Sequence, residues 1–213
     1  MNPLKIAYHT QINNGILPYA TCGTTCMAEY LDYLNDHYGK TYKCKDDEVF
    51  EILNGPEMVQ KAEELVQKGV IDKAALDFRA DNPKTDIDEG KYRRLNNFME
   101  LLAEVGTFIT GREFLFTVHP RTCEDVEKLI DNGVPVLTGG AFTGSGHFVL
   151  IVGYDDKNLI VDDPYGDWNE GYAKDTRGKG KQRKYLKVAL GTIFRRVSGY
   201  TASFFRCITA ARV

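Results

Sequence analysis

The chain has 213 residues, of which 43% are hydrophobic, and it carries 27 basic against 30 acidic side chains. Such a chain can bury about 70% of its unfolded surface without metal or disulfide staples. The composition is that of a globular protein, which excludes the disordered, collagen-like and coiled-coil classes.

The chain shows no targeting or membrane signal. No apolar run reaches the roughly 18 residues of a membrane span, and the first residues lack the charged start and apolar core of a signal peptide. We therefore expect a protein made in the cytoplasm, with no membrane span. The five cysteines are odd in number and widely spaced, which predicts free thiols.

Charge is unevenly distributed along the chain. Residues 1–170 carry 16 Lys and Arg against 29 Asp and Glu, whereas residues 171–213 carry 11 against 1. The basic end either complements the acidic body within the fold or binds an anionic polymer. We favour the first interpretation, keep the anionic polymer as the alternative, and expect no nucleic-acid partner.

The first half of the chain is predicted to be helical. An apolar stripe at helical spacing runs from Thr21 to Leu34, and Gly39 follows as a stop signal. Three further helical patterns cover residues 46–53, 57–69 and 89–106. The polar stretch 77–90, which contains Asn82-Pro83, predicts a surface loop.

Strands predominate in the second half. The strand patterns cover residues 114–118, 134–138, 147–154, 158–163, 185–190 and 204–209. A short helix is predicted at 122–133, where Thr122 and Asp125 have capping-box spacing. Asp155-Asp156 marks a hairpin turn that pairs the third strand with the fourth. Residues 174–184 are predicted to be an exposed basic loop.

Cys22 is the candidate nucleophile. It stands at the start of the first predicted helix, where free backbone N–H groups and the helix dipole lower the pKa of a thiol. Gly23 would leave room for a substrate. The alternative is that Cys22 is a small buried apolar residue, which is the commoner fate of a free cysteine. Cys26 lies one turn further along the apolar stripe and is predicted to be in the core.

His147 and Asp163 are the candidate partners of that thiol. His147 begins one strand of the predicted hairpin and Asp163 ends the other, so pairing brings them together. A carboxylate that accepts the imidazole N–H holds the ring in the orientation that a general base needs. Strand alternation turns Asp162 to the opposite face. A purely structural role for His147 is the alternative.

Gln11 lies eleven residues before Cys22 and could donate an N–H to an oxyanion, although by itself it reads as an ordinary surface residue. We expect neither a metal nor a cofactor. The cysteines and histidines lack zinc-site spacing, and the acidic residues 155–170 do not follow an EF-hand pattern. The glycine-rich stretch 139–146 is not a phosphate loop.

Five motifs in order resemble a known family: Gln-x-x-Asn, TCGTT, GVPVL, GHFVLIVGYDD and VDDPYGDW. They cover roughly residues 7–35 and 114–170 and resemble the papain-fold cysteine peptidases related to bacteriocin-processing, double-glycine leader peptidases. This is cysteine peptidase family thirty-nine with its stand-alone relatives. The resemblance implies an α+β papain-like fold, with a catalytic helix packed on an antiparallel sheet. We expect one domain over residues 1–213 with a helical insertion at about 40–113.

The resemblance also implies roles for individual residues. Cys22 would be the nucleophile, His147 the base, Asp163 the residue that orients it, and Gln11 part of the oxyanion hole. The family commonly has Asn at the position of Asp162, so both aspartates stay candidates for the contact with His147.

Within the family, the N-terminal spacing and the DPYGDWNEGY stretch look most like phage-type lytic enzymes, which cut peptide stems or cross-bridges of peptidoglycan. The missing signal peptide agrees, because such enzymes are held in the cytoplasm before they reach the cell wall. We predict a peptidoglycan-cleaving endopeptidase. The alternatives are a stand-alone leader-peptide or protein-processing cysteine peptidase and a non-catalytic polyanion-binding protein.

Overall fold

The computed structural model describes residues 3–80, 95, 98–187, 189 and 205–213. The helices in this part are α1 (Cys22–Tyr38), α2 (Asp46–Leu53), α3 (Pro56–Gln67), α4 (Lys73–Ala80), α5 (Met99–Ile109) and α6 (Cys123–Asp131). The strands are β1 (Phe114–Arg121), β2 (Val136–Gly140), β3 (His147–Tyr154), β4 (Asn158–Asp162), β5 (Arg183–Leu186) and β6 (Phe205–Arg212).

The strands form one sheet in the order β1-β6-β2-β3-β4-β5, and each neighbouring pair is antiparallel. The predicted α+β class with an antiparallel sheet is therefore confirmed. The predicted hairpin is also present, since β3 pairs with β4 and Leu150 lies opposite Asp162. This register returns the end of β4 to the start of β3.

The helix predictions agree with the structure at α1, α2 and α6, whereas Phe98, inside the predicted helix 89–106, is extended and precedes α5. Helix α1 begins at Cys22, α2 has the predicted bounds, and α6 begins with the predicted capping box of Thr122 and Asp125. Helix α4 was not predicted, and its last four residues overlap the predicted loop 77–90. The rest of that loop lies outside the described residues, as does most of the first half of the predicted helix 89–106.

Two predicted strands are displaced. Strand β2 begins at Val136 instead of residue 134, because Val134 is hydrogen-bonded back to Leu129 at the end of α6. The predicted strand 185–190 is wrong beyond Leu186, where Lys187 and Ala189 are helical.

The sheet is covered on both faces. Leu150 and Val152 of β3 belong to one apolar cluster with α1, whereas Val149 and Ile151 belong to a second cluster with α6. Alternate side chains of a strand point to opposite faces, which accounts for this division. Because β3 is buried nearly throughout, its first residue, His147, is held on a rigid element.

Helices α2, α3 and α5, which lie in the segment predicted as an insertion, contribute side chains to the same apolar cluster as α1. Examples are Leu53, Leu65 and Leu101, of which Leu53 and Leu101 are fully buried. Each fully buried leucine contributes roughly 2 kcal/mol of hydrophobic stabilisation. The helices therefore support the position of α1. Within the described residues, none of the helices has the length and apolar character needed to cross a membrane.

Candidate active site

Cys22 is the first residue of α1 and is partly exposed. The residue before it, Thr21, makes no side-chain cap to the helix, so the first-turn N–H groups of α1 have no such partner. The start of α1 is instead held from outside, because the Asn14 amide donates to the hydroxyls of Thr21 and Thr25 at 2.9 and 3.0 Å. The positive end of the α1 dipole thus faces the Cys22 thiol.

His147 is buried at the start of β3, with 5% of its surface exposed. Its Nε2 lies 2.8 Å from Oδ1 of Asp163. Three aromatic rings, those of Phe142, Tyr165 and Tyr172, surround the imidazole at centroid distances of 6.2, 6.3 and 5.6 Å. These rings exclude water from the His147–Asp163 hydrogen bond, which strengthens it.

Asp163 is fully buried and both of its carboxylate oxygens are saturated with donors. Besides the imidazole, Oδ1 accepts the backbone N–H groups of Tyr165 and Gly166 at 3.0 and 3.3 Å. The other oxygen, Oδ2, accepts the hydroxyls of Tyr172 and Tyr185 at 3.0 and 2.8 Å. A buried carboxylate with five donors is held in one orientation and stays satisfied while it supports the imidazole.

Asp162 lies on the opposite face, as alternation predicts, and does not contact His147. Its Oδ1 accepts the backbone N–H of Gln182 at 2.5 Å. Its Oδ2 and Oε1 of Glu29 in α1 are both buried. Burial, with the neighbouring Asp162, raises the pKa of Glu29 well above its usual range, and burial also raises the pKa of Asp162. Glu29 therefore holds its proton more tightly than an exposed glutamate does.

The thiol and the imidazole stabilise each other's charge. Burial would raise the pKa of Cys22, but the His147 imidazolium and the N–H groups of Phe148 and Gly23 lower it below its ordinary value. Burial would lower the pKa of His147, but the Asp163 carboxylate and the Cys22 thiolate raise it to about 10. Each charge therefore favours the other, which makes the thiolate of Cys22 more accessible than that of an ordinary cysteine.

The other two partly exposed cysteines have no such environment. Burial and the Asp32 carboxylate raise the pKa of Cys44 to about 11, and burial raises the pKa of Cys123. Cys26 is fully buried, as predicted, and burial raises its pKa well above the ordinary value. Among the described residues, no group of three or more His, Cys, Asp or Glu side chains is arranged to hold a metal ion.

Gln11 is buried, with 2% of its surface exposed, so the interpretation of Gln11 as an ordinary surface residue is wrong. Its Nε2 donates to the carbonyl of Pro18 at 2.9 Å, which leaves one N–H of the amide for another acceptor. The backbone N–H of Gln11 donates to the carbonyl of Pro164 at 3.0 Å, so the segment before α1 is tied to the residue after Asp163.

Sequence reasoning missed residues that are far from Asp163 in the chain but contact it in the fold. Tyr8 donates to the Asp163 carbonyl at 2.7 Å and accepts the N–H of Gly180 at 3.0 Å. A Cβ on Gly180 would overlap the carbonyl oxygens of Asp163 and Gly166. The loop 174–184 is mostly exposed, as predicted, but Gly180 is buried against the backbone of Asp163. In the sequence, only the glycines of this lysine-rich loop indicated that its backbone approaches another segment closely.

Comparisons with known proteins bear on this arrangement. The profile of the Peptidase_C39 like family matches residues 3–190. The chain belongs to this family. Membership in the Peptidase_C39 like family supports a cysteine peptidase, in agreement with the resemblance seen in the motifs.

A solved structure similar to this family member is that of a Bacillus anthracis protein assigned as a C39-like peptidase. The two share 14% sequence identity and a TM-score of 0.51, and the match covers 100% of this chain and 99% of the other. At this identity the likeness concerns the fold, and it confirms the predicted fold class. A search of curated proteins finds no match.

Proposed function

We propose that this protein hydrolyses peptide bonds through a triad of Cys22, His147 and Asp163. The observation that carries the proposal is the 2.8 Å contact between Nε2 of His147 and the buried Asp163, with the partly exposed thiol of Cys22 interacting with the same imidazole. Thiol and serine hydrolases share this arrangement, which consists of a nucleophile, a base and a residue that orients the base.

In the proposed reaction, the Cys22 thiolate attacks the carbonyl carbon of the scissile bond and an oxyanion forms. The oxyanion collapses, the C–N bond breaks, and the leaving amine takes the proton of the His147 imidazolium. Water then attacks the thioester, His147 accepts its proton, and the thiolate is released with the new carboxyl group. Because Nε2 of His147 is engaged by Asp163, Nδ1 is the nitrogen that exchanges the proton.

Gln11 is proposed to stabilise the oxyanion together with the backbone N–H of Cys22. Two observations support this role. One N–H of the Gln11 amide is not used by the hydrogen bond to Pro18, and the side chain is buried. One oxyanion-hole donor contributes about 10²- to 10³-fold in turnover. Gln11→Ala should therefore reduce turnover by about that factor while leaving the Cys22 thiol reactive.

We extend the proposal to the peptides of peptidoglycan as substrate. Its support is the likeness of the N-terminal and Asp-Pro motifs to phage-type lytic enzymes and the basic loop packed beside the site. A peptidase that processes leader peptides or proteins would use the same triad and is the alternative. Binding of an anionic polymer by the basic segment 171–213 is a separate part of the proposal.

The test is digestion of purified sacculi and of a proteome-derived peptide library by the wild type and Cys22→Ala, with products identified by mass spectrometry. We expect new peptide termini with the wild type alone. Cys26→Ala is the matched control, since removal of this core thiol should lower the free energy of unfolding by only about 1 kcal/mol. Cleavage of the library but not of sacculi would favour the protein-processing alternative. Hydrolysis by Cys22→Ala would overturn the nucleophile assignment.

A further inference from the structure

An aromatic surface lies directly beside the proposed triad. The ring of Tyr165 is 6.3 Å from the His147 ring, and the ring of Tyr19 is 6.4 Å from that of Tyr165 in an edge-on contact. Tyr19 stands three residues before Cys22 and is 72% exposed. Large aromatic side chains exposed at a reactive centre are suited to contact a ligand.

A guanidinium group is stacked on this surface. The Arg177 Cζ lies 5.6 Å from the centroid of the Tyr165 ring, and Arg177 itself is exposed. Among the described residues, Arg177 has no carboxylate partner within ion-pair distance. By contrast, Arg183 and Lys184, which follow this loop at the start of β5, are paired with Asp167 and Asp155.

The backbone next to Arg177 is anchored to the site. The N–H of Gly178 donates to the Tyr165 carbonyl at 3.0 Å, and the Gly180 carbonyl accepts the N–H of Asp163 at 3.0 Å. The stacked side chain on a fixed backbone loses little conformational entropy when it binds a ligand. An unpaired arginine that is already ordered differs in this respect from an ordinary surface cation.

We propose that Arg177, stacked on Tyr165, binds a carboxylate of the substrate close to the scissile bond, so that acidic peptides are preferred. This inference rests on the proposed peptidase function and adds the substrate class. Arginine is suited to the task because its planar guanidinium can stack on an aromatic face while its N–H groups bind a carboxylate with two hydrogen bonds. Lys174 and Lys179, also exposed in this loop, add positive potential around the same side of the site.

The test profiles cleavage of a proteome-derived peptide library by the wild type, Arg177→Gln, Arg177→Lys and Lys184→Gln. Acidic residues should be enriched near the cleaved bond about three- to tenfold with the wild type, the effect of one ion pair. Arg177→Gln should lose this enrichment but still cleave neutral peptides, and Arg177→Lys should retain part of it. Lys184→Gln, which loses a paired cation at the start of β5, should match the wild type.

Two outcomes would overturn the inference: no acidic enrichment with the wild type, or the same enrichment after Arg177→Gln. If the wild type cleaves neither the library nor sacculi, the peptidase proposal fails; in that case, or if sacculi alone are cleaved, binding decides the inference. Two synthetic randomised peptide pools, one containing Glu and one containing Gln at the same positions, would be titrated against Cys22→Ala with and without Arg177→Gln. A preference for the Glu pool that requires Arg177 would support the carboxylate site, and no preference would reject it.

Discussion

At the residue scale, the two adjacent aspartates at the end of β4 have different surroundings. Asp163 receives five donors, one of them the imidazole of His147, whereas Asp162 faces Gln182 and Glu29. The family resemblance left both as candidates, and strand alternation favoured Asp163. The geometry agrees with alternation, because neighbouring residues on a strand point to opposite faces.

This difference leads to a prediction with a matched pair of variants. Asp163→Ala removes the group proposed to orient His147 and should reduce kcat by about 10⁴-fold, the loss caused by replacing the orienting aspartate of a serine-protease triad. Asp162→Asn should leave kcat within a few fold of the wild type. The measurement is steady-state kinetics on a peptide cleaved by the wild type. A larger loss for Asp162→Asn than for Asp163→Ala would contradict the assignment.

Sequence patterns point to the three candidate site residues but not to the side chains that hold Asp163. Cys22, His147 and Asp163 each follow from a local pattern: a helix start, a strand start and a strand end. The hydroxyls of Tyr172 and Tyr185 come from positions 9 and 22 residues after Asp163. No local periodicity points from these tyrosines to the aspartate, because only the folded loop brings them to it.

At the element scale, the loop between Tyr172 and β5 supports the site through its backbone. Gly180→Ala should destabilise the protein by about 3 kcal/mol or more, because the new Cβ would overlap two carbonyl oxygens and push the loop off Asp163. Chemical denaturation measures the effect. Gly144→Ala is the control, since a Cβ there would have open space. Equal stability of the two variants would show that the loop can move without cost.

The buried pair of Glu29 in α1 and Asp162 in β4 should make the free energy of unfolding depend on pH. The folded-state pKa of Glu29 is raised above its ordinary value of 4.5 by burial and by Asp162. The native state therefore holds its proton more tightly than the unfolded chain. The stabilising contribution is complete below the ordinary pKa and is lost as the pH rises through the folded-state pKa.

We accordingly expect the free energy of unfolding to fall as the pH rises above the ordinary glutamate pKa. Glu29→Gln keeps a donor toward Asp162 but has no proton to lose, so its unfolding free energy should fall less over the same range. The measurement is urea denaturation of both proteins across this pH range. Identical pH dependence in the two proteins would contradict a raised pKa of Glu29 in the folded state.

The errors in the predicted helices and strands also have physical explanations. Helix α4 has only eight residues, and its second half falls in the polar stretch that predicts a loop. The displaced start of β2 results from the Val134–Leu129 hydrogen bond at the end of α6, a tertiary detail that strand propensity does not contain. The starts of α2 and β3 were predicted correctly, and that of α1 within one residue.

At the scale of the whole molecule, the helices of the segment predicted as an insertion share one apolar cluster with α1. We propose that the chain folds as a single domain, in which these helices hold the Cys22 helix against the sheet. Unfolding in urea should then be one cooperative transition. The fluorescence of Trp168, the only tryptophan of the sequence, reports on the site, and far-ultraviolet circular dichroism reports mainly on the helices. Separate midpoints for the two signals would contradict one domain.

The charge asymmetry also has a structural counterpart. Part of the basic end pairs with acidic side chains of the body, as in the contacts of Arg183 with Asp167 and Lys187 with Glu127. This agrees with the intramolecular interpretation for those residues. Arg177 is outside these pairs, which is why composition alone did not distinguish it from its neighbours.

The central claim is that His147 activates the Cys22 thiol, and the chain contains its own controls. Cys22, Cys44 and Cys123 are all partly exposed, but only Cys22 has a lowered pKa. The most direct measurement is the rate at which iodoacetamide alkylates each cysteine at neutral pH, mapped by mass spectrometry, in the wild type and in His147→Ala. We predict that Cys22 reacts first in the wild type and loses this advantage in His147→Ala. Equal rates at the three cysteines, or unchanged Cys22 reactivity without His147, would contradict the account.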